Sequence, residues 1–267
     1  MNDLNIMFCG DKNACRGILF CITAICRNEK ETINFFVLTA NIKGQMEGIS
    51  KAMCDNFVRA AKKENGENTV KLFDISELFS SYLPEANMST RFTPACMLRL
   101  FADKVKEIPD KILYLDTDVL CRKSFKSFYD IDISDVEIAG VPDRYGKWFF
   151  GNIFRHDYLN SGVLLMNMKK IRSSGLFEKC RIMCREKKMF MPDQSALNKL
   201  ALKRKLHRRY NEQWKIKEDT VFKHFTTFFK FLPYFHAVTV KPWDEERTHK
   251  ILGITEFDYL YGENFYE

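Results

Sequence analysis

Three apolar runs of strand length in the first 74 residues, separated by helical stretches, leave this chain few folds to adopt. Asn5-Ile-Met-Phe-Cys9 reads as a short buried strand that breaks at Gly10. A helix is predicted from about Ala14 to Arg27, with Asn13 as its N-cap. Ile33–Thr39 reads as a second strand, Gln45–Lys63 as a long amphipathic helix and Thr69–Asp74 as a third strand. Strand, helix, strand, helix, strand at this pace predicts an α/β fold, a mostly parallel central sheet flanked by crossover helices. In such sheets ligands bind outside the carboxyl ends of the strands. The residues just after each strand are therefore where chemistry is expected.

Lys111-Ile-Leu-Tyr-Leu-Asp-Thr-Asp-Val-Leu120 is the richest of these strand ends. An apolar run stops on two carboxylates, Asp116 and Asp118. Side chains at i and i+2 of a strand point the same way, so extended geometry would aim both carboxylates at one spot. Two hard oxygen ligands so placed suit a divalent cation that keeps positions open for phosphate oxygens. Asp130-Ile-Asp132 repeats the spacing, but no strand precedes it.

Further along, Pro94 favours the first turn of a helix to about Val105. Within it Arg99 stands among Met97, Leu98, Leu100 and Phe101, an apolar setting that demands a partner for its charge. Val136–Val141 reads as a strand stopped by Pro142-Asp143, and Arg144–Tyr158 as an aromatic loop over the sheet. Asn160-Ser-Gly-Val-Leu-Leu-Met-Asn167 leads from a polar triplet into a buried strand. A helix over about Lys169–Lys188 precedes Pro192-Asp-Gln-Ser-Ala-Leu-Asn198, where Asp193 and Gln194 open another helix. Val221–Phe225 reads as a last strand carrying His224, and the tail after Pro242 has no clear periodicity.

A length of 267 residues without a linker predicts one catalytic domain over 1–243 and a tail over 244–267. No run reaches the roughly 20 apolar residues of a membrane span, and Ile18–Cys26 lies behind Asp3 and Asp11, unlike a signal peptide's apolar region. Nine cysteines without a Cys-x-x-Cys pair read as buried free thiols, and Cys180 and Cys184 lack zinc-site spacing. Both observations place the chain in the cytoplasm. The net charge of +7 is concentrated in Lys199–Arg209, which reads either as a solvated helix end or as a contact for an anionic membrane surface or phosphorylated acceptor. No recognition motif points to nucleic acid.

Four of these segments together resemble family 8 of the retaining glycosyltransferases, bacterial galactosyl- and glucosyltransferases of lipopolysaccharide and cell-surface glycans. They are Leu113-Tyr-Leu-Asp-Thr-Asp-Val119, Asn160-Ser-Gly-Val-Leu-Leu165, Pro192-Asp-Gln-Ser-Ala-Leu-Asn198 and Lys241-Pro-Trp243, and the likeness covers roughly residues 5 to 243. The resemblance implies a GT-A fold that uses a UDP-sugar donor, Mn²⁺ or Mg²⁺, and a glycan or glycolipid acceptor. It implies that Asp116 and Asp118 hold the metal, with His224 or, as the alternative, His236 as third ligand. Cys9, Asp11 and Asn13 would receive uridine, although Ala14 stands where the family often has Tyr. Asp143, Asn160, Ser161, Asp193 and Gln194 would surround the sugar, Arg99 would reach it, and Lys241 would meet the diphosphate. The resemblance further implies a hexose as the transferred group, with Asp193, Gln194 and Arg99 at the reacting centre, and peripheral contact with the inner face of a membrane.

Two rival readings start from the same residues. An apolar strand before Asp-x-Asp also opens haloacid-dehalogenase-type phosphatases, with Asp116 as nucleophile and Asp118 as acid/base; no later acidic metal motif follows here. A catalytically impaired UDP-sugar- or glycan-binding protein would keep the pocket without turnover; Asp116, Asp118, Asp193 and Gln194 argue against it, while Ala14 and the insertion between His224 and Lys241 leave it open.

Overall fold

The computed structural model describes residues 3–88, 94–146, 156–230, 232 and 234–262. Its centre is a seven-stranded sheet built from β1 (Leu4–Cys9), β2 (Ile33–Thr39), β3 (Thr69–Asp74), β4 (Lys111–Leu115), β6 (Ile138–Pro142), β7 (Leu159–Asn167) and β8 (Lys203–Lys205), in the order β3-β2-β1-β4-β7-β6-β8. Pairing is parallel from β3 through β2 and β1 to β4, and again between β6 and β8. Only β7 runs antiparallel, to β4 and to β6. The mostly parallel α/β sheet is therefore present, and the site lies where the parallel half meets the reversed strand.

Strand alternation divides the core into two layers. Leu4, Ile6 and Phe8 of β1, Phe35 and Val37 of β2, and Leu113 and Leu115 of β4 face helices α1 (Cys15–Asn28) and α2 (Lys51–Glu64). Met7, Cys9, Phe36, Leu38, Ile112 and Tyr114 face the other way, onto the Pro94–Lys104 segment and the helices between Met168 and Leu200. Helix α1 is buried on nearly every side, because Phe257 and Leu260 from beyond Pro242 join its layer and Arg27 lies 4.0 Å over the Tyr259 ring. That explains the apolar run Ile18–Cys26 as a core helix. Among the described residues no helix is long and apolar enough to cross a membrane. All nine cysteines are free, and only Cys96 is not fully buried.

Several boundaries differ from the sequence reading for local reasons. Asp11, not Asn13, caps the chain after β1: its carboxylate accepts from Asn13 N–H at 3.0 Å and holds a 3-10 turn, Lys12–Ala14, before α1 begins. Helix α2 starts six residues later than predicted, where Ser50 supplies the cap. The predicted helix over 169–188 is two, Met168–Ser174 and Leu176–Glu186, divided at Gly175 with φ +67°. Pro94–Lys104 is 3-10 rather than α-helical, and Met97–Ala102 are all buried. The basic stretch begins at a helix end, with Lys199 in the last turn of Pro192–Leu200, and continues as edge strand β8 and a 3-10 turn, Arg208–Tyr210. Residues 147–155 of the predicted aromatic loop and 263–267 of the tail lie outside the described residues.

Candidate active site

Strand β4 ends at Leu115, and the chain turns rather than staying extended: Val119 N–H donates to Asp116 O before β5 (Val119–Cys121) begins. The alternation argument for Asp116 and Asp118 therefore gives way to a turn, yet the turn still brings them together. Strand β5 pairs antiparallel with β9 (Phe222–His224), Val119 opposite His224. The His224 ring thus reaches back over the turn, with Nε2 3.2 Å from Asp118 Oδ1 and 3.9 Å from Asp116 Oδ2. Ligand atoms of the three residues all lie within 4.8 Å of one another. His236, the alternative third ligand, sits on the β11 strand (His236–Val238) with Nδ1 2.8 Å from Tyr234 O, apart from this cluster. Asp130 and Asp132 lie at the surface, Asp130 paired with Lys126.

The outer carboxylate oxygens are already held by the protein. Asp116 Oδ1 accepts from Tyr114 OH at 2.7 Å and from Arg99 Nη2 at 2.8 Å. Asp118 Oδ2 accepts from Lys241 Nζ at 2.5 Å. Burial works against the Asp118 carboxylate, but Lys241 and His224 outweigh it and hold the group well below the usual carboxylate range. Burial likewise opposes the Lys241 ammonium, and Asp118 more than offsets it, so the lysine titrates above its ordinary value.

Strand β7 supplies the close approach. A Cβ placed on Gly162 would stand 2.2 Å from His224 Cε1 and 2.8 Å from Asp116 Oδ2. Only a glycine lets a central strand pass beneath the imidazole, and Gly162 O anchors the turn by accepting from Asp116 N–H at 2.8 Å. Gly162 and Tyr114 escaped the sequence reading as site residues, although both stand inside its motifs and the glycine interrupts an apolar strand. The three-residue cluster, two hard carboxylates and an imidazole on a cradle with no room for a methyl group, fits a divalent cation.

Arg99 is buried rather than at the surface. Its guanidinium spans the floor of the site: Nη1 donates to Ser161 O at 2.6 Å, Nη2 to Asp116, and Nε to Cys96 O at 2.9 Å. Nε also lies 3.2 Å from Asp193 Oδ2, and the ring of Tyr114 lies 3.9 Å from the guanidinium carbon. The segment carrying Arg99 is fixed from behind by Arg181, which pairs with Asp103 at 2.6 Å. Asp193 opens the Pro192–Leu200 helix, fully enclosed. Its Oδ2 faces Arg99 without a hydrogen bond of proper angle, and burial raises its pKa despite that cation.

Gln194, Asp143, Asn160 and Ser161 form the adjoining wall. Ser161 N–H donates to Gln194 Oε1 at 2.9 Å, and Gln194 Nε2 and Asn160 Nδ2 both donate to Asp143 Oδ2, at 3.2 and 2.9 Å. On the opposite flank, at the end of β1, Cys9 is buried and its thiol is pushed up to about 12, so it lines a wall without reacting. Asp11 and Asn13 follow it at the carboxyl end of the parallel strands. These contacts bring together Asp116, Asp118, His224, Lys241, Arg99, Asp193, Gln194, Asp143, Asn160 and Ser161, whereas Asp11 and Asn13 bond to each other at the end of β1 and His236 stands apart.

The chain matches the model of glycosyl transferase family 8 over residues 5–247. A lipopolysaccharide 1,2-glucosyltransferase of Escherichia coli K12 is 24% identical, the match covering 97% of this chain and 84% of that protein. A relative from Haemophilus influenzae is also 24% identical, over 66% of this chain, which spans only 52% of that protein's length. In three dimensions the chain is similar to the galactosyltransferase LgtC solved with donor and acceptor sugar analogues (TM-score 0.73, 21% identity, covering 97% and 95% of the two chains). It is also similar to the glycosyltransferase GlyE of Streptococcus pneumoniae TIGR4 (TM-score 0.65, 17% identity, covering 97% and 63%).

Proposed function

This chain belongs to glycosyl transferase family 8, and from that premise we propose that it is a metal-dependent, retaining hexosyltransferase that moves glucose or galactose from a UDP-sugar to a glycan or glycolipid. The observation that carries the reading is the convergence of Asp116, Asp118 and His224 within 4.8 Å at the end of β4, beside the buried Arg99–Asp193 pair. Asp116, Asp118 and His224 would hold Mn²⁺ or Mg²⁺, which, when bound, neutralises charge on the diphosphate leaving group.

The chain's own residues do the rest. Lys241, poised on Asp118, and Arg99, fixed on Asp116, supply positive charge as the sugar–phosphate bond lengthens. Asp193, Gln194, Asp143 and Asn160 orient the sugar and keep its anomeric carbon against carboxylates that favour an oxocarbenium-like transition state. Gln194 is a poor nucleophile, and its Oε1 already accepts from the N–H and hydroxyl of Ser161. Asp193 is tied to Arg99 by charge. We therefore favour front-face attack, in which the acceptor hydroxyl enters on the leaving-group side and passes its proton to the departing phosphate.

For contact with a membrane we propose a different part of the chain from the one its charge suggested. In the basic run Arg204 pairs with Asp135, Arg208 with Glu212 and Asp219, and Arg209 packs 4.6 Å over Tyr210. The hairpin of β10 (Phe228–Lys230) and β11 instead exposes Leu232, Tyr234 and Phe235, each more than 60%. No acidic residue occurs between Phe225 and Trp243, a composition suited to an anionic interface. Because His224 precedes this hairpin and Lys241 follows it, contact there would bring a glycolipid acceptor to the site.

A screen of UDP-sugars with Mn²⁺, reading UDP release with and without glycan acceptors, tests the assignment. UDP binding without any release would make the chain an impaired binding protein. Cleavage of phosphomonoesters in place of UDP-sugars would make it a phosphatase.

A further inference from the structure

One buried amide that no motif contains decides which face of His224 meets the site. Tyr210 stacks on Phe128, ring centroids 4.5 Å apart, and the next residue turns inward beside β9, where His224 N–H donates to Glu212 O. That residue is Asn211, 1% exposed. Its Oδ1 is 3.1 Å from His224 Nδ1, and its Nδ2 donates to Asn160 Oδ1 at 2.8 Å. Asn160 Oδ1 also accepts from Gly162 N–H at 3.0 Å, while Asn160 Nδ2 donates to Asp143.

This chain of bonds has one solution. The Asp143 carboxylate can only accept and the Gly162 N–H can only donate, so Asn160 turns its NH₂ to the first and its oxygen to the second. The Asn160 oxygen then takes a donor from Asn211, which leaves the Asn211 oxygen for His224. That oxygen can only accept, so Nδ1 carries a proton and Nε2 is the nitrogen turned to Asp116 and Asp118. Turning Asn211 over would set its oxygen against the Asn160 oxygen. Turning Asn160 over would set its oxygen against the Asp143 carboxylate.

We propose that Asn211 is a positioning residue that fixes the ring and the Nδ1-protonated form of His224, and that ties this histidine through Asn160 to the Asp143–Gln194 wall. The consequence for cation affinity rests on the metal-site reading above; the proton assignment does not. Outer partners of this kind change metal affinity by about 10–100-fold when removed.

The test uses the full chain with ¹⁵N-labelled histidine. Its five histidines make assignment against a His224→Gln variant direct. Wild type is expected to show a hydrogen-bonded, slowly exchanging proton on His224 Nδ1. Asn211→Leu loses it, and Asn211→Asp, which keeps an acceptor for Nδ1 but must meet Asn160 Oδ1 with a protonated second oxygen, retains it. Calorimetry with UDP present is expected to show Mn²⁺ binding about 10–100-fold weaker in Asn211→Leu and weakened less than that in Asn211→Asp. UDP binding without metal should be unchanged in both. If Asn211→Leu does not fold, Asn211→Ser, too short to reach the imidazole, takes its place. A wild-type His224 without a proton on Nδ1, its persistence in the variant that lacks the amide, or equal Mn²⁺ affinity in that variant overturns the proposal. A wild type that binds no Mn²⁺ refutes the metal-site reading instead, and the Nδ1 signal then decides the positioning role alone.

Discussion

Replacing Gly162 by alanine adds one methyl group at the tightest point of the site. The new Cβ would lie 2.2 Å from His224 Cε1, against the 3.4 Å at which ordinary contact begins, so something must retreat by about 1.2 Å. Strand β7 is hydrogen-bonded to β4 on one side and β6 on the other and buried through Met166, so the imidazole is the part that yields. Overpacking of this size costs about 1–3 kcal/mol of stability, and each kcal/mol lowers the melting temperature of a chain this size by about 2–4 °C. Function should fall further than stability, since a misplacement of about 1 Å at a reacting site costs about 10²-fold. The assay is UDP release at saturating and limiting Mn²⁺, beside a melting curve. Gly66→Ala, with nothing within 4 Å of its Cβ, is the control for a glycine changed in open space. The expected result is a folded Gly162→Ala protein whose Mn²⁺ requirement rises steeply while Gly66→Ala matches wild type. A Gly162→Ala enzyme with wild-type Mn²⁺ dependence would show that His224 does not need its present place, and would refute the three-ligand reading.

Other expectations follow from the same geometry. Chelation should abolish transfer, and Asp116→Asn or Asp118→Asn should do so without unfolding; metal-independent transfer would contradict this. Calorimetry should show Mn²⁺ tightening UDP binding, whereas equal affinity with and without the ion would count against the site. Asp193→Asn should melt above wild type at pH 7, because the wild-type protein bears a buried carboxylate whose folded-state pKa is raised. Acids of this kind contribute stability at low pH and lose it as pH rises through the folded value, so the gap should close as pH falls toward about 4; a gap that widens on acidification would reverse the assignment. Asp193→Ala and Gln194→Ala should each keep measurable turnover if attack is front-face, and a trapped sugar–enzyme adduct on either residue would replace that mechanism. Leu232→Ser with Phe235→Ser should weaken cosedimentation with anionic vesicles, while charge reversal at Lys199 should change it little.

What the sequence made legible was what local rules control. The strands β1, β2 and β3 follow from apolar runs bounded by polar residues, and Asp116, Asp118 and Asp193 stand at element ends where chemistry is exposed. What it hid depends on residues distant in the chain. Asn211 is 51 positions from Asn160 and 13 from His224, in a stretch whose lysines and arginines point to a solvated helix end. Arg99 was readable only as a charge in need of a partner; its partners, Asp116 and Asp193, are supplied by β4 and by a helix nearly a hundred residues later. The 3-10 form of Pro94–Lys104 has the same origin. Its apolar residues give it no single solvent face, and packing on both sides outweighs the intrinsic preference for an α-helix.

The placement of positive charge explains why Arg99 and Lys241 do not by themselves complete this site. Each approaches from outside: Arg99 meets Asp116 Oδ1, and Lys241 meets Asp118 Oδ2. The inner oxygens, Asp116 Oδ2 and Asp118 Oδ1, both turn toward His224 Nε2, the nitrogen that the Asn211 bond leaves facing them. Asp116, Asp118, Asp143 and Asp193 contribute four carboxylates against the two permanent cations, so two negative charges are left over. At the effective dielectric of such a site, like charges about 4 Å apart repel by roughly 4 kcal/mol. Moving Lys241 inward would strip Asp118 of the partner that keeps it ionised, and Arg99 is held by Ser161 O and Cys96 O as well as by its carboxylates. A small divalent cation held by Asp116, Asp118 and His224 would relieve the repulsion with both contacts kept. It would also leave Lys241, the more exposed of the two side chains, to meet a diphosphate.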